Sequence, residues 1–271
     1  MRNRAVLSRQ GEQVQTQNSA RPVVLVTGGG KGVGRGITER FLAAGAEVVI
    51  CGRSAPESLP DGPRGSATFI AADLRDIDAV ETLFQEIMAR FGRLDVLVNN
   101  AGGTPFALAA DGSPRFHDAI LQLNLHAPLQ AALKANSIMQ KQDAGGVIIF
   151  IGSVGATTAR PGSATYAAAK AAILSLTRSL AVEWAPKVRV VSVSPGLVQT
   201  EQSHLHYGDE SGIAAVAETV PLKRMAQPAD IGDACVFMAS NEASYISGAD
   251  LLIHGGGERP AFLSAASVNN T

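Results

Sequence analysis

Between residues 23 and 44 a glycine cluster is wedged between an apolar run and a helical stripe. Val23 to Thr27 is continuously apolar up to its last residue, then comes Thr27-Gly28-Gly29-Gly30-Lys31-Gly32-Val33-Gly34. Ile37, Phe41, Leu42 and Ala44 follow on one side of a predicted helix. An unbroken apolar run is the pattern of a strand buried on both faces, which belongs in a parallel sheet covered by helices. Glycine admits backbone angles and close approaches that a Cβ forbids. The helix start behind it offers unpaired N–H groups and a positive dipole end, a setting suited to a pyrophosphate. The spacing is Gly28-x-x-x-Gly32-x-Gly34, neither G-x-G-x-x-G nor a P-loop, since no Gly-Lys-Ser/Thr occurs.

The same alternation continues to the end of the chain. Strands are expected at 47–51, 68–71, 94–98, 147–151, 188–193 and 250–254. Val80, Leu83, Phe84, Ile87, Met88 and Phe91 recur at helical spacing on one face. Long helices are expected over 118–140, with a kink or boundary at Pro128, and over 163–184. A polar stretch runs to about Lys223, and a helix over 230–240 precedes the last strand. The fold class is therefore α/β, a doubly wound, Rossmann-like parallel sheet of about seven strands with helices on both faces, in a single domain. Residues 1–20, rich in Gln, Asn, Ser and Arg, read as a flexible tail, 21–258 as the domain and 259–271 as a second tail.

Composition excludes several partners. With 23 basic and 24 acidic residues there is no field for nucleic acid or an anionic membrane. No segment reaches the roughly 18 apolar residues of a membrane span, and the first 20 residues lack a signal peptide's apolar core, so a cytoplasmic location is expected. Cys51 and Cys235 lie far apart inside apolar runs and read as small hydrophobes in a reducing compartment. The five histidines form no convincing ligand set, so no metal is expected, His204 and His206 being the pair worth checking.

Further signals follow each strand in turn. Asp73 comes after the third, Asn99-Asn100-Ala101-Gly102 after the fourth, Asn124 within the long helix, Ser153 after the fifth, Tyr166-x-x-x-Lys170 on the next helix, and Pro195-Gly196 after the sixth. With the T-G-x-x-x-G-x-G loop, this series resembles the short-chain dehydrogenase/reductase family over residues 21 to 258. The resemblance implies an NAD(P)(H)-dependent oxidoreductase that interconverts a ketone and a secondary alcohol, such as a 3-oxoacyl thioester, a steroid or another carbonyl compound. The alternatives are a catalytically silent NAD(P)-binding regulator or scaffold, and a lyase or epimerase on the same fold.

Residues four apart on a helix share a face, so Tyr166 and Lys170 lie together. A free phenol, with a pKa of about 10, is a poor base at neutral pH. The Lys170 ammonium and the positive charge of an oxidised nicotinamide favour phenolate, so the Tyr166 pKa is expected to fall. Ser153 would donate to the substrate oxygen. The resemblance gives Tyr166 the acid/base role, Lys170 a grip on the ribose as well, and Asn124 a water path to solvent. It also implies cofactor contacts at Gly28, Gly32, Val33, Gly34, Asp73, Leu74, Asn100, Ala101, Gly102, Pro195, Gly196, Val198 and Thr200. Asn99 is open between binding and holding strands together.

The ribose should be read at the end of the second strand, about 20 residues past the glycines, where NAD binding usually wants an acid. Cys51-Gly52-Arg53-Ser54 has none. Arg53, with Lys31, can pair with a 2′-phosphate, so NADP(H) is favoured, although either cation can also be a solvated surface residue. By resemblance, residues 201–220 would form a substrate lid, the chain would assemble as a homotetramer or homodimer, and His254 stands where an acid is usual. The substrate is expected to be a small carbonyl or alcohol.

Overall fold

The computed structural model describes residues 21–257 together with Pro260, Phe262 and Ala265. Residues 1–20 and all but those three of 259–271 lie outside the described residues, and so does the tail assignment made for them.

Seven parallel strands form one sheet: β1 (Val23–Thr27), β2 (Glu47–Gly52), β3 (Thr68–Ala71), β4 (Val96–Asn99), β5 (Gly146–Ile151), β6 (Val188–Pro195) and β7 (Asp250–Ile253). Their spatial order is β3-β2-β1-β4-β5-β6-β7. All five residues of β1 are buried, as its apolar run requires. The helices are α1 (Gly32–Ala43), α2 (Ile77–Phe91), α3 (Pro114–Leu121), α4 (Ala127–Met139), α5 (Ala164–Glu183), α6 (His204–Tyr207), α7 (Glu210–Thr219) and α8 (Pro228–Ala239). Two apolar clusters cover the two faces of the sheet. One holds Leu25, Leu97, Ile148 and Phe150 against α2, α4 and α5; the other holds Val26, Val98, Ile149 and Val191 against α1 and α8. Helix α2 buries Val80, Leu83, Phe84 and Ile87 on the predicted stripe; the Asp76 carboxylate caps it and Gly92 ends it at φ 71°.

Strand order reverses between β1 and β4, and in open α/β sheets ligands bind in the crevice outside the strand ends at such a switch point. The glycine loop, the Asn99–Gly102 turn, Ser153 and Pro195–Gly196 all lie at carboxyl ends of strands around it.

Three expectations need correction. The long central helix begins at Pro114, where Ser113 caps it, rather than at 118. The boundary expected at Pro128 is present, Pro128 standing in the first turn of α4, and the segment before it is a π-helical turn over Gln122–His126 in which the Ala127 N–H reaches Gln122 O. Pro128 has no N–H to give the carbonyl of Asn124 four residues back, and the turn widens. The polar stretch after β6 contains α6 and α7. Helix α7 fully buries none of its residues and turns only a short stripe of Ile213, Val216 and Ala217, half-buried, to the protein; its start is set by the Asp209 carboxylate, which accepts from Gly212 N at 3.0 Å. A short antiparallel ribbon, Asp61–Gly62 with Gly65–Ser66, was not anticipated.

Candidate active site

The loop after β1 is shaped by steric need. Gly28 and Gly32 sit at φ 64° and 52°. A Cβ on Gly34 would stand 2.2 Å from Gly28 O and 2.5 Å from Asn100 Nδ2. Only glycine lets the first turn of α1 close onto β1. The Thr27 hydroxyl accepts from both Asn100 N and Ala101 N at 2.9 Å, and Asn100 Nδ2 donates to Thr27 O at 2.9 Å. Thr27 and Asn100 thus stitch the ends of β1 and β4 together. Asn99 turns inward, its Nδ2 donating to Pro128 O of α4 at 3.1 Å.

A cleft of about 730 Å3 lies between the glycine loop and the end of β2. Lys31, Arg53 and Arg35 line it, with Glu57 and Glu201 as the opposing charges. Sequence reasoning missed Arg35, although it lies one helical turn past Lys31. Its Nη1 donates to Ser58 O at 3.0 Å and its Nε to Glu39 at 2.8 Å. Glu201 was also missed: its carboxylate accepts from Gly32 N at 3.0 Å, at the start of α1. The glycine cradle and a cleft of this size fit a dinucleotide; Lys31 at the cap of α1 and Arg53 just past β2 line the cleft and would hold it, while Val33 and Gly34 lie in the first turn of α1 behind the loop.

Asp73 lies past β3, its carboxylate bonded by Arg75 at 2.6 and 2.9 Å. That Arg75 pairing, with a lesser pull from Arg53, holds its pKa down at about 2. Leu74 beside it is buried. Past β6, Gly196 N donates to Ile253 O at 2.9 Å, Val198 bridges to Ala226, and Thr200 N donates to the buried Ser203 hydroxyl at 2.9 Å.

Ser153, Tyr166 and Lys170 converge near the end of β5. Helix α5 carries Tyr166 and Lys170 on one face, with Lys170 Nζ 5.5 Å from the Tyr166 ring centroid. Lys170 is buried and donates to Ile151 O at 2.7 Å, which pins the helix to the strand. Ser153 closes β5; its Oγ accepts from Gly155 N at 3.0 Å and lies within hydrogen-bonding reach of the Tyr166 phenol. Asn124, fully buried in the π turn, accepts from Gly103 N at 2.9 Å and donates to Gly103 O and Ile120 O. Gly102 joins the groups: a Cβ there would meet Asn124 Oδ1 at 2.7 Å and Lys170 Nζ at 3.6 Å.

The fall expected for the Tyr166 pKa involves the charge of an oxidised nicotinamide; in the cofactor-free protein the shift is upward. Burial raises it, and the Ser153 hydrogen bond lowers it by less. Burial also brings Lys170 down to about 8. In the protein without cofactor the phenol is therefore held protonated. No group of three His, Cys, Asp or Glu side chains among the described residues is placed to hold a metal ion. No helix among them is long and apolar enough to cross a membrane.

A doubly wound sheet with this cleft and this cluster defines a dinucleotide-dependent oxidoreductase, and comparison with known proteins agrees. A family profile described as enoyl-(acyl carrier protein) reductase matches residues 28–258. The chain is 34% identical to the oxidoreductase UcpA of Salmonella typhimurium, covering 89% of this chain and 95% of that one. It is 33% identical to the 3-oxoacyl-[acyl-carrier-protein] reductase FabG of the same organism, over 86% and 96% of the two chains. The ligand-free aldohexose dehydrogenase of Thermoplasma acidophilum superposes with a TM-score of 0.81 at 29% identity, over 91% and 95% of the chains. The chain belongs to the short-chain dehydrogenase/reductase family. It is an NAD(P)-dependent enzyme acting on CH–OH and C=O groups.

Proposed function

We propose that this enzyme interconverts a ketone and a secondary alcohol, with NADP(H) as its preferred cofactor and Tyr166 as the acid/base. The observation that carries this is the convergence of Ser153, Tyr166 and Lys170 at the end of β5. A bound nicotinamide supplies the hydride in one direction and takes it in the other. In reduction, Tyr166 O–H donates its proton to the substrate oxygen, and its raised pKa keeps that proton loaded. The Ser153 hydroxyl donates to the same oxygen and steadies its growing negative charge. The Lys170 ammonium lies against the ring and stabilises the phenolate left behind. Asn124, which approaches Gly102 as Lys170 does, supports the return of a proton from solvent.

The preference for NADP(H) rests on Arg53, Lys31 and Arg35 around one cleft and on the lack of an acid directly after β2. Asp73 and Leu74 would face the adenine, and Pro195, Gly196, Val198 and Thr200 the nicotinamide half. Residues 201–220, which include α6 and α7, serve as the lid over the substrate. Exposed Val182 on α5 and Leu133 on α4 support assembly into a homotetramer or homodimer through these helices, which light scattering would read directly. The test of the chemistry is Tyr166→Phe. Turnover should fall at least a hundredfold, within the usual range for a lost general acid, while NADPH still binds. A variant keeping more than about a tenth of the activity would remove Tyr166 from the mechanism.

A further inference from the structure

Helix α1 begins without a cap of its own. Lys31 at its N-cap makes no side-chain hydrogen bond to the helix, and its first turn holds no acid. The first N–H groups of a helix have no partner within it and carry the positive end of its dipole. Here a partner comes from 169 residues along the chain: the Glu201 carboxylate, in the segment after β6, accepts from Gly32 N at 3.0 Å. The same segment stands over the loop, since a Cβ on Gly32 would face Thr200 Cγ2 at 3.8 Å and Glu201 Oε1 at 3.9 Å.

The backbone under Glu201 is held by bonds that do not involve its carboxylate. Thr200 N donates to the Ser203 hydroxyl at 2.9 Å, Ser203 N donates to Thr200 O at 3.1 Å, and Ser203 is buried. His204 Nδ1 lies 3.0 Å from Glu201 O. The Glu201 side chain, by contrast, is exposed at the wall of the dinucleotide cleft, opposite Lys31, Arg35 and Arg53. It can swing away while the turn that carries it stays in place.

We infer that Glu201 is an internal stand-in for the cofactor diphosphate and so sets how tightly NADP(H) binds. The inference rests on the reading of this cleft as the dinucleotide site. A carboxylate and a diphosphate are both anions drawn to the same N–H groups and dipole end, and like charges exclude one another there. In the cofactor-free enzyme Glu201 caps α1. On entry the diphosphate takes the α1 N–H groups, and Glu201 turns out to solvent. One acid thus steadies the empty site and weakens the filled one, which favours exchange of used for fresh cofactor after each turnover.

The experiment is calorimetric titration of NADPH into wild type, Glu201→Gln and Glu201→Ala. Both variants should bind NADPH about fivefold more tightly, the effect of one charge at a helix start. ADP-ribose, which has the diphosphate but no nicotinamide, should show the same gain. Adenosine 2′-monophosphate, which has no diphosphate, should gain less than about twofold. Stability carries the linked signature. Without cofactor, Glu201→Ala should unfold at lower urea concentration than wild type because a cap is gone, and the gap should close at saturating NADPH. Unchanged or weaker NADPH binding in the variants overturns the inference, and so does an equal gain for adenosine 2′-monophosphate. A wild type that binds neither NADPH nor NADH sinks the reading of the cleft itself, whereas equal NADPH binding in all three proteins leaves that reading standing and removes only Glu201.

Discussion

Replacing Lys170 by Met tests the electrostatics of the site through stability rather than rate. Lys170 is a buried ammonium in the middle of α5, held by the Ile151 carbonyl at 2.7 Å, and burial lowers its pKa from 10.5 to about 8. Below pH 8 the group is protonated in both the folded and the unfolded chain, and the cost of burying the charge is constant. Between pH 8 and 10.5 the unfolded chain keeps a proton that the folded chain has given up. The unfolded state then binds more protons, so stability rises with pH. At about 1.4 kcal/mol per pKa unit, the wild type should gain about 2–3 kcal/mol between pH 7 and pH 10 relative to Lys170→Met. The other titrating groups are common to both proteins, so the difference isolates this one. At pH 7 alone the variant is less informative, because relief from burying a charge is opposed by about 1–3 kcal/mol for the Ile151 carbonyl left without its donor. Urea unfolding of the cofactor-free proteins at several pH values gives the difference directly. A difference that stays flat within about 0.5 kcal/mol, or falls, would refute the argument that Lys170 is a desolvated cation. Turnover should be lost in the same variant, since the charge that stabilises the phenolate is gone.

Three further outcomes follow from particular contacts. Gly34→Ala should destabilise the fold by about 1–3 kcal/mol and weaken NADPH binding, because its Cβ would meet a backbone oxygen at 2.2 Å. A gain of stability, as helix propensity alone would give, would show that the loop can open. Arg53→Ala should lower the NADPH-to-NADH ratio of kcat/KM at least about tenfold, and an unchanged ratio would remove Arg53 from cofactor selection. Cys51 and Cys235 are buried, and burial pushes the Cys51 thiol up to about 12 and Cys235 higher still. Neither should react with a disulfide reagent until the protein unfolds; rapid labelling of the native enzyme would contradict their burial.

The strands and most helices were legible because their signals are local. Val23–Thr27 is apolar along its whole length, the α2 stripe repeats at helical spacing, and glycines mark the loop where side chains cannot fit. Where local signals were weak the reading slipped. Helix α7 is short, its stripe is three half-buried residues (Ile213, Val216 and Ala217), and the π turn lies just before Pro128, where periodicity registers no change of helix type. Arg35 and Glu201 were not singled out because a charged side chain looks the same in a sequence whether it faces solvent or a cleft.

The sequence by itself determined which residue types stand at the strand ends, and so the family and the cast of Ser153, Tyr166, Lys170 and the glycine loop. Those features depend on neighbours close along the chain. Tertiary structure alone decided how they act on one another. It brought Lys170 and Asn124 each up to Gly102, buried the Tyr166 phenol so that its pKa rises in the cofactor-free protein, and lined the dinucleotide cleft with Arg35. Burial and electrostatics depend on what the other strands and helices bring within a few ångströms, and that is fixed only when the sheet has closed.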